Sequence, residues 1–343
     1  MDYRDSGVDI AAGNETVRRI KSIAKATFTS GVLSDIGSFG GLFQIDRERY
    51  REPVLVSSAD GVGTKLKVAF ITGRHDTVGA DLVNHCVNDI LVQGADPLFF
   101  LDYLATGRLS PDVAEQVVSG VARGCRENGC ALLGGETAEM PGFYADGEYD
   151  IAGFIVGIVE KSSVIDGRAI VSGDVLIGLP SAGLHTNGYS LARRVLFESA
   201  GFTADSFVAE IGATLGDALL APHRSYLGAM RPLLAQGLVK GMAHITGGGI
   251  TENLPRVLPE GTSASIDVRA WDIPPLFRLI QQRGKVSTDE MFRAFNMGIG
   301  LIAVAAPNSV DDAIDLLERT GERPVSLGHV IPGDRDIRYL HLP

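Results

Sequence analysis

Short apolar segments that end in glycine-rich loops recur along this chain, and they constrain its fold more than any other feature. Residues 54–58, VLVSS, run into ADGVGTK, and residues 174–179, DVLIGL, lead into PSAGLHTNG. The later stretch AHITGGGITENLPRVL repeats the order of strand, glycine loop and helix. Glycine lets the backbone turn sharply or approach another group closely. The pattern therefore predicts a mixed α and β protein with several loops that can approach a ligand.

Hydrophobic periodicity divides the chain into two predicted domains. Apolar stripes at helical spacing predict helices that open near Asn14, span about residues 78–92, and begin at Ser110-Pro111. Thr251 and Ser309, the latter with Asp312, are expected to open two further helices. Further strands are predicted at residues 97–105, 148–161 and 298–306, with VSLGHVI as the last strand. A turn-rich stretch near residues 164–173 separates two α+β domains, 1–165 and 166–343.

The charge balance restricts the classes of partner. The 343 residues include 31 Lys and Arg against 42 Asp and Glu, for a net charge of −11. A general nucleic-acid binder needs a dense basic stripe, and the sequence has no block of Lys and Arg. Local amides and a metal ion can still hold an anionic nucleotide on an acidic protein. We expect no nucleic-acid partner.

The cysteines and apolar runs predict a soluble cytoplasmic protein. Cys86, Cys125 and Cys130 have no CxxC spacing and lie in apolar surroundings, which favours buried free thiols. The start, MDYRDSGVDI, is acidic and lacks the apolar run of a secretory signal. The longest apolar stretch, residues 151–159, is too short to span a bilayer.

The hexapeptide DGVGTK at residues 60–65 is the sharpest candidate for a phosphate site. Its small residues let backbone amides approach an anion, Lys65 offers a positive charge, and Asp60 offers a hard oxygen ligand for Mg²⁺. The spacing differs from a Walker A loop. An ordinary glycine-rich turn with a solvated lysine is the alternative, and the hexapeptide alone does not decide between them.

One face of the predicted helix at residues 78–92 carries short polar side chains. At 3.6 residues per turn, Asp81, Asn84, His85 and Asn88 cluster opposite the apolar stripe, with Asp89 at the edge. These residue types are poor helix formers that suit a fixed polar site, and Asp89 can meet Asp60 across a metal ion. The alternative is a solvent-exposed helix face whose polar residues have no functional role.

Two further glycine-rich stretches of the first half are weaker candidates. In GGETAEMPG, residues 134–142, a predicted strand ends at a glycine turn, and Glu136 and Glu139 can hold Mg²⁺ or an ammonium group. GSFGG, residues 37–41, can close over phosphates. The alternative for GGETAEMPG is a surface turn with solvated acids. The alternative for GSFGG is a linker without a binding role.

The second half offers two loops before predicted helix starts. The two loops are LHTNGYS, residues 184–190, and HITGGG, residues 244–249. Each places backbone amides at a helix start, where an anion can bind. His185 and His244 stand at the beginning of the two loops. A single histidine is more often structural, but two histidines at two such loops favour a site. Arg293 and Asn296 either reach a substrate phosphate or cap local backbone.

These motifs together resemble the phosphoribosylformylglycinamidine cyclo-ligase (aminoimidazole ribonucleotide synthetase) family over nearly the whole chain. The resemblance rests on long motifs in the same order: YRDSGVDIAAGN, the stretch from DGVGTK through CVNDILVQGADPLFFLDY, GGETAEMPG, HTNGYSL, HITGGGITENLPRVLP and FRAFNMGIG. It implies ATP-dependent closure of formylglycinamidine ribonucleotide to aminoimidazole ribonucleotide in purine biosynthesis. It further implies a homodimer whose amino-terminal strands join in a barrel, and a carboxy-terminal domain that completes the substrate cleft.

The resemblance also implies roles for individual residues. Asp60 and Asp89 are similar to the family's Mg²⁺–ATP carboxylates, and Lys65, His185 and His244 are the catalytic candidates. Nucleotide contacts are expected at Gly37, Phe39, Gly40, Gly41, Gly61, Gly63, Thr64, Lys65 and Asn88. Substrate contacts are expected at Glu136, Thr186, Asn187, Thr246, Gly247, Gly248 and Gly249.

Three alternatives make different demands on the sequence. Selenophosphate synthetase would need Cys or selenocysteine in the early glycine-rich segment, but no Cys precedes Cys86. A nicotinamide dehydrogenase would need GxGxxG after the first strand, which is missing. A non-catalytic nucleotide-binding protein of the same fold would bind ATP without releasing ADP when the ribonucleotide is added.

Overall fold

A computed structural model describes residues 7–342 and divides the chain into two compact units. The first unit ends at Ser163 and the second begins at Val164, except that Leu91–Gly94 belong to the second unit. The boundary predicted from the sequence is residue 165. Both units combine sheets with helices, which confirms the predicted α+β class.

The first unit is a four-stranded sheet with helices. Its strands are β1 (Pro53–Gly61), β2 (Asp96–Thr106), β3 (Ala131–Glu139) and β4 (Tyr149–Glu160). Its helices are α1 (Ile10–Lys25), α2 (Leu66–Thr72), α3 (Val78–Leu91) and α4 (Pro111–Asn128). The strand order is β1-β4-β2-β3; β4 runs antiparallel to both of its neighbours, and β2 pairs with β3 in parallel.

The two faces of this sheet differ in burial, as the period of two along a strand requires. On one face, Phe100, Leu104 and Ile155 are buried. On the other face, Leu55 and Phe154 remain exposed. The unit therefore has one covered and one open sheet face.

Helices α3 and α4 approach each other closely because both carry glycine at their contact. A Cβ atom on Gly79 would lie 2.2 Å from the carbonyl oxygen of Val117, and one on Gly120 would lie 2.3 Å from that of Asp76. Real Cβ atoms do not approach backbone this closely, so only glycine fits. The contact fixes the position of α3, which carries most of the predicted polar cluster.

The second unit is built on a six-stranded sheet of order β12-β9-β11-β5-β10-β8. Its strands are β5 (Val175–Pro180), β6 (Phe207–Val208), β7 (Ala213–Thr214), β8 (Gly241–His244), β9 (Thr262–Asp267), β10 (Ile299–Ala305), β11 (Val325–Pro332) and β12 (Ile337–Leu340), with β6 and β7 forming a separate pair. Its helices are α5 (Tyr189–Arg193), α6 (Leu215–Leu220), α7 (Leu227–Ala235), α8 (Gly249–Asn253), α9 (Pro275–Gly284), α10 (Thr288–Ala294) and α11 (Val310–Arg319). Strand β10 is buried along its whole length, which agrees with its uninterrupted apolar sequence.

Several local predictions were wrong in detail. VSLGHVI is not the last strand, since β12 follows it. Thr251 lies inside α8 rather than capping it, and Ser309 precedes α11 without a side-chain cap hydrogen bond. Tertiary pairing and tight glycine turns override these local signals.

Candidate functional site

Two predicted metal carboxylates converge on one histidine in the first unit. Asp60 lies near the end of β1, and Asp89 lies on the last turn of α3. The Nε2 atom of His85 is 2.7 Å from Oδ2 of Asp60 and 3.9 Å from Oδ2 of Asp89. Ser58 donates a hydrogen bond to Asp89 at 2.9 Å, and the Gly61 amide donates one to Asp60 at 2.7 Å.

The charges of this cluster reinforce one another. Burial by itself opposes ionisation of Asp60, but the hydrogen bond and charge of His85 outweigh it and lower the pKa of the carboxyl. Burial likewise opposes protonation of His85, but the hydrogen bond that its ring donates to Asp60 and the charge of Asp89 raise its pKa. The two carboxylates thus favour the protonated form of the imidazole that lies beside them.

The donor set suits a hard divalent cation. Mg²⁺ is bound in proteins by a few carboxylate oxygens and keeps several waters. Asp60 and Asp89 supply such oxygens from two neighbouring elements, and both lie beside the Nε2 atom of His85. These two carboxylates are the residues that would hold Mg²⁺.

Lys65 does not lie at an exposed phosphate loop but forms a buried ion pair. Gly63–Lys65 is a turn of 3₁₀ helix that leads directly into α2. The side chains of Lys65 and Asp81 are fully buried, and Nζ lies 2.8 Å from the Asp81 carboxylate. Burial lowers the pKa of the Lys65 ammonium, and Asp81 offsets this only in part. The solvated-lysine alternative is excluded, while the predicted contact of Lys65 with phosphate stays a prediction.

The polar face of α3 is buried rather than exposed. Asp81, Asn84, His85 and Asn88 are all buried, and Asp89 is half-buried. Asn128 at the end of α4 donates a 2.7 Å hydrogen bond to Asn84. The alternative of a solvent-exposed face is therefore wrong. These side chains are buried, and Asn84 is hydrogen-bonded to a neighbouring helix.

A second feature of the first unit is a cavity of about 740 Å³. The predicted glycine loop forms one wall, helix α1 another, and strands β2 and β3 the floor. The lining includes Gly37, Phe39, Gly40, Gly41 and Glu136 from the predicted site residues. Asp60 and Asp89 are not among the described residues that line it, so the structure places the glycine loop and the carboxylate cluster in separate features.

Sequence reasoning missed Asp102, which also lines this cavity. It lies in β2 within LDY and is 9% exposed. Burial raises the pKa of its carboxyl from 3.8 to about 7. An acid at a helix-facing position of an otherwise apolar strand is the signal that could have found it.

In the second unit, two asparagines hold the predicted substrate loops in shape. Asn253 donates to the carbonyl oxygens of Gly247 and Gly249 at 3.0 and 2.8 Å. Asn296 donates to the Gly183 carbonyl at 2.9 Å and accepts from the Gly298 amide at 2.8 Å. The Asn296 side chain thus binds both the nearby backbone at Gly298 and the distant backbone at Gly183, while a contact with a substrate phosphate stays a prediction.

The two predicted histidines belong to a buried cluster that contains a third, His223. The ring of His185 stacks on that of His223 with centroids 4.0 Å apart, and Nε2 of His223 lies 3.0 Å from Nε2 of His244. Nδ1 of His223 is 3.3 Å from the Thr186 hydroxyl. His223 follows α6 in a segment without a motif, so only the fold could reveal it.

Comparison with known proteins assigns the chain to a family. The family model "AIR synthase related protein, N-terminal domain" matches residues 46–159, and the corresponding C-terminal domain model matches residues 171–341. Phosphoribosylformylglycinamidine cyclo-ligase of Trichlorobacter lovleyi is 56% identical over 328 residues, covering 96% of this chain and 94% of that protein. The chain belongs to the phosphoribosylformylglycinamidine cyclo-ligase family. The resemblance inferred from the motifs is confirmed, and the chain is an enzyme of the ligase class.

Solved structures that share the family's fold are more distant in sequence. Thiamine-monophosphate kinase from Stenotrophomonas maltophilia K279a superposes with a TM-score of 0.68 at 19% identity, covering 95% of both chains. Hydrogenase maturation protein HypE in complex with ATP superposes with a TM-score of 0.62 at 17% identity, covering 95% of this chain and 88% of that one. These likenesses support the fold. Within residues 7–342, every helix is too short or too polar to cross a membrane.

Proposed function

We propose that this chain closes the imidazole ring of aminoimidazole ribonucleotide from formylglycinamidine ribonucleotide, with ATP converted to ADP and phosphate. The 56% identity to a cyclo-ligase over nearly the full length carries the proposal. The carboxylate cluster of Asp60 and Asp89 supports it with a cation site suited to a nucleotide. The reaction is a step of purine biosynthesis.

ATP is needed because the formyl oxygen is a poor leaving group. The formyl oxygen attacks the γ-phosphorus as ADP departs and the formamide nitrogen releases its proton to solvent, which leaves an iminophosphate on the former formyl carbon. The amidine nitrogen of the same molecule then attacks that carbon, phosphate leaves with the oxygen, and the nitrogen loses a proton. The enzyme positions the groups and neutralises charge, which is the usual task in phosphoryl transfer.

The first unit would bind the nucleotide. Asp60 and Asp89 would hold Mg²⁺, which supplies charge neutralisation on the phosphates when bound. The glycine loop at Gly37–Gly41 and the amides that follow β1 would contact the nucleotide. The ATP complex of the structurally similar HypE supports nucleotide binding by this fold.

The second unit would bind the ribonucleotide through its two shaped loops. Thr186, Asn187 and the loop from Thr246 to Gly249 offer backbone amides and short hydrogen-bonding side chains. The hydrogen bond between His223 and His244 requires one ring to donate and the other to accept, which fixes their tautomers relative to each other. This pairing favours His244 as the group that takes the proton released on ring closure.

A homodimer with a barrel of amino-terminal strands is part of the proposal. The open face of the first unit's sheet carries exposed Leu55, Tyr103 and Phe154. Such apolar side chains on one face favour coverage by a second copy. The three buried free thiols agree with the reducing cytoplasm as its location.

A coupled assay tests the reaction directly. The protein is mixed with formylglycinamidine ribonucleotide, Mg²⁺ and ATP, and both ADP release and the aminoimidazole product are measured. We expect one ADP per aminoimidazole ribonucleotide, and neither product when the ribonucleotide is omitted. ADP release without ring closure would point to a kinase, and ATP binding without ADP release to a non-catalytic nucleotide-binding protein.

A further inference from the structure

His223 lies fully buried in the second unit and contacts three residues that are predicted to take part in the reaction. Its ring stacks on that of His185 with centroids 4.0 Å apart and 23° between the planes. Nδ1 is 3.3 Å from the Thr186 hydroxyl, and Nε2 is 3.0 Å from Nε2 of His244. A neutral imidazole donates from one nitrogen and accepts at the other. His223 can therefore serve both contacts at once and link Thr186 to His244.

The ring of His223 is supported on one face by His185, which is itself firmly held. Nε2 of His185 accepts a 3.1 Å hydrogen bond from the Ala182 amide. The backbone of His185 has a φ of 60°, in the left-handed region that residues with a side chain rarely adopt. A Cβ atom on Gly300 of β10 would lie 2.7 Å from Cε1 of His185, so glycine at that position makes room for the ring. These contacts fix the surface on which His223 stacks.

The chain segment that carries His223 is anchored by contacts of its own. The next residue, Arg224, donates a hydrogen bond to the Glu322 carboxylate at 2.6 Å. Tyr226 is fully buried, and its hydroxyl donates to the backbone carbonyl at the end of β5 at 2.9 Å. Neither contact involves His244. The position of His223 is therefore set independently of the histidine to which it is hydrogen-bonded.

His244 needs such a partner, because its backbone alone does not orient its ring. It is the last residue of β8, where it pairs with Leu301 of β10. Strand pairing fixes the backbone, but the torsion that turns a histidine ring has broad minima. The rings of His223 and His244 meet at 61° with centroids 5.1 Å apart, an edge-on approach that suits a hydrogen bond between the two Nε2 atoms. This hydrogen bond selects one orientation of the His244 ring.

We propose that His223 is a positioning residue that sets the orientation and the tautomer of His244 for ring closure. The inference rests on the proposed function, because it takes His244 as the group that receives the proton lost by the amidine nitrogen. In the arrangement that suits this task, Nε2 of His244 donates to Nε2 of His223, and Nδ1 of His223 donates to the Thr186 oxygen. The lone pair of His244 then lies on Nδ1, which gains the proton, and the resulting imidazolium keeps its hydrogen bond to His223. A general base oriented by a second group is a common catalytic arrangement.

Two substitutions separate the two hydrogen bonds of His223. The side-chain amide lies near the position of Nε2 in His223→Gln and near that of Nδ1 in His223→Asn, so only the first keeps a partner for His244. General-base catalysis contributes about 10²–10⁴-fold, and we expect kcat for aminoimidazole formation to fall about tenfold or more in His223→Asn but less than about threefold in His223→Gln. The KM for ATP should be unchanged in both. Equal losses of kcat in the two variants would mean a packing role and overturn the proposal.

A double-mutant cycle tests whether His223 acts through His244. His223→Asn is combined with His244→Asn, and kcat is measured for all four proteins, with melting curves to determine the folded fraction. Residues that act as a unit are not additive, so we expect no further loss from His223→Asn in the His244→Asn protein. A full second loss in that background overturns the proposal, and so does a wild-type kcat in His244→Asn alone.

His223→Phe keeps the proposal testable if His223→Asn does not fold. It retains a ring that stacks on His185 and removes both hydrogen bonds, so its kcat should fall as far as that expected for His223→Asn, and a wild-type kcat overturns the proposal. His329→Asn, at an exposed position of β11, is the matched control and should behave as the wild type. Failure of the proposed function would appear separately, as a lack of aminoimidazole product from the wild type, and would end both proposals. Product from the wild type with an unchanged kcat in the variants of His223 would refute this inference alone.

Discussion

At the scale of single residues, His85 explains how two carboxylates coexist in a partly buried place. Its imidazole lies beside both Asp60 and Asp89, and the two carboxylates raise its pKa and so favour a positive charge there. A bound divalent cation would supply the same charge more strongly. Substitutions of Asp60 or Asp89 are therefore expected to change the Mg²⁺ dependence of the activity more than they change the stability of the fold.

Asp89→Asn tests the carboxylate cluster. The amide keeps the shape and the hydrogen bond from Ser58 but removes the negative charge, so we expect kcat to fall by about 100-fold or more while the far-ultraviolet circular dichroism is unchanged. The measurement is kcat as a function of Mg²⁺ concentration. Asp112→Asn, at an exposed position of α4, is the control and should behave as the wild type. Normal activity with unchanged Mg²⁺ dependence would reject the assignment.

Lys65→Met separates a structural from a nucleotide-binding role. Removal of the ammonium leaves Asp81 as a buried carboxylate without this cation, which should cost about 3–5 kcal/mol of the free energy of unfolding. The double variant Lys65→Met/Asp81→Leu should recover most of that stability in urea denaturation. If Lys65 also contacts phosphate, the double variant keeps a raised KM for ATP; full recovery of KM would show that the ion pair is purely structural.

Asp102 should make stability depend on pH. Because its pKa is raised from 3.8 to about 7, the folded protein keeps a proton that the unfolded chain has released. Stability from this group is therefore full below about pH 4 and falls by up to about 4 kcal/mol as the pH rises to 7. Cys125 on α4 faces the same region, but burial raises the pKa of its thiol and keeps it neutral.

The measurement is the melting temperature of the wild type and of Asp102→Asn between pH 5 and pH 8. The variant should gain relative stability as the pH rises, because its amide does not ionise. A difference that stays constant over this range would mean that the buried carboxyl has an ordinary pKa.

At the scale of elements, the loop before α8 is shaped by a side chain from the helix that it precedes. Asn253 holds two loop carbonyls, and its Oδ1 accepts from the Thr246 hydroxyl at 3.3 Å. Within the loop, the Gly249 amide also donates to the Thr246 carbonyl at 3.0 Å. The sequence HITGGG indicates the loop, but its shape depends on a residue outside that motif.

Asn253→Ala is expected to loosen this loop. Two backbone carbonyls lose their donor, which should cost about 1–3 kcal/mol, and the KM for the ribonucleotide should rise more than the KM for ATP. Steady-state kinetics in both substrates provide the measurement. Arg256→Ala, an exposed side chain just after α8, should leave both constants unchanged. Equal changes in the two KM values would contradict a local role.

At the scale of the whole molecule, the open sheet face is the feature that a single chain leaves unexplained. Leu55 is 58% exposed although it lies in a strand of the main sheet. Leu55→Glu should place charge on the proposed barrel interface and shift the protein from dimer to monomer in analytical ultracentrifugation. Phe207→Glu, at an exposed position of the second unit, is the control. A dimer that persists in Leu55→Glu would place the interface elsewhere.

Much of the site could be predicted from the sequence because its residues lie in compact motifs. The motifs DGVGTK and VNDI identified Asp60 and Asp89 as candidate metal ligands, and in the structure both acids lie beside the imidazole of His85. The role expected for Lys65 was harder to predict, because a lysine in a glycine-rich loop looks solvated until its burial against Asp81 is known. Asp102 and His223 escaped prediction since neither stands in a recognisable pattern.

The sequence by itself determined the alternation of strands and helices, the two α+β units and the family, because periodicity and motifs are local properties of the chain. The tertiary structure alone decided which polar groups are buried together. Asp102 meets Gly135 through strand pairing, and His223 reaches Thr186 and His244 across the second unit. Such contacts join residues far apart in the chain, and their energies depend on burial that no local pattern specifies.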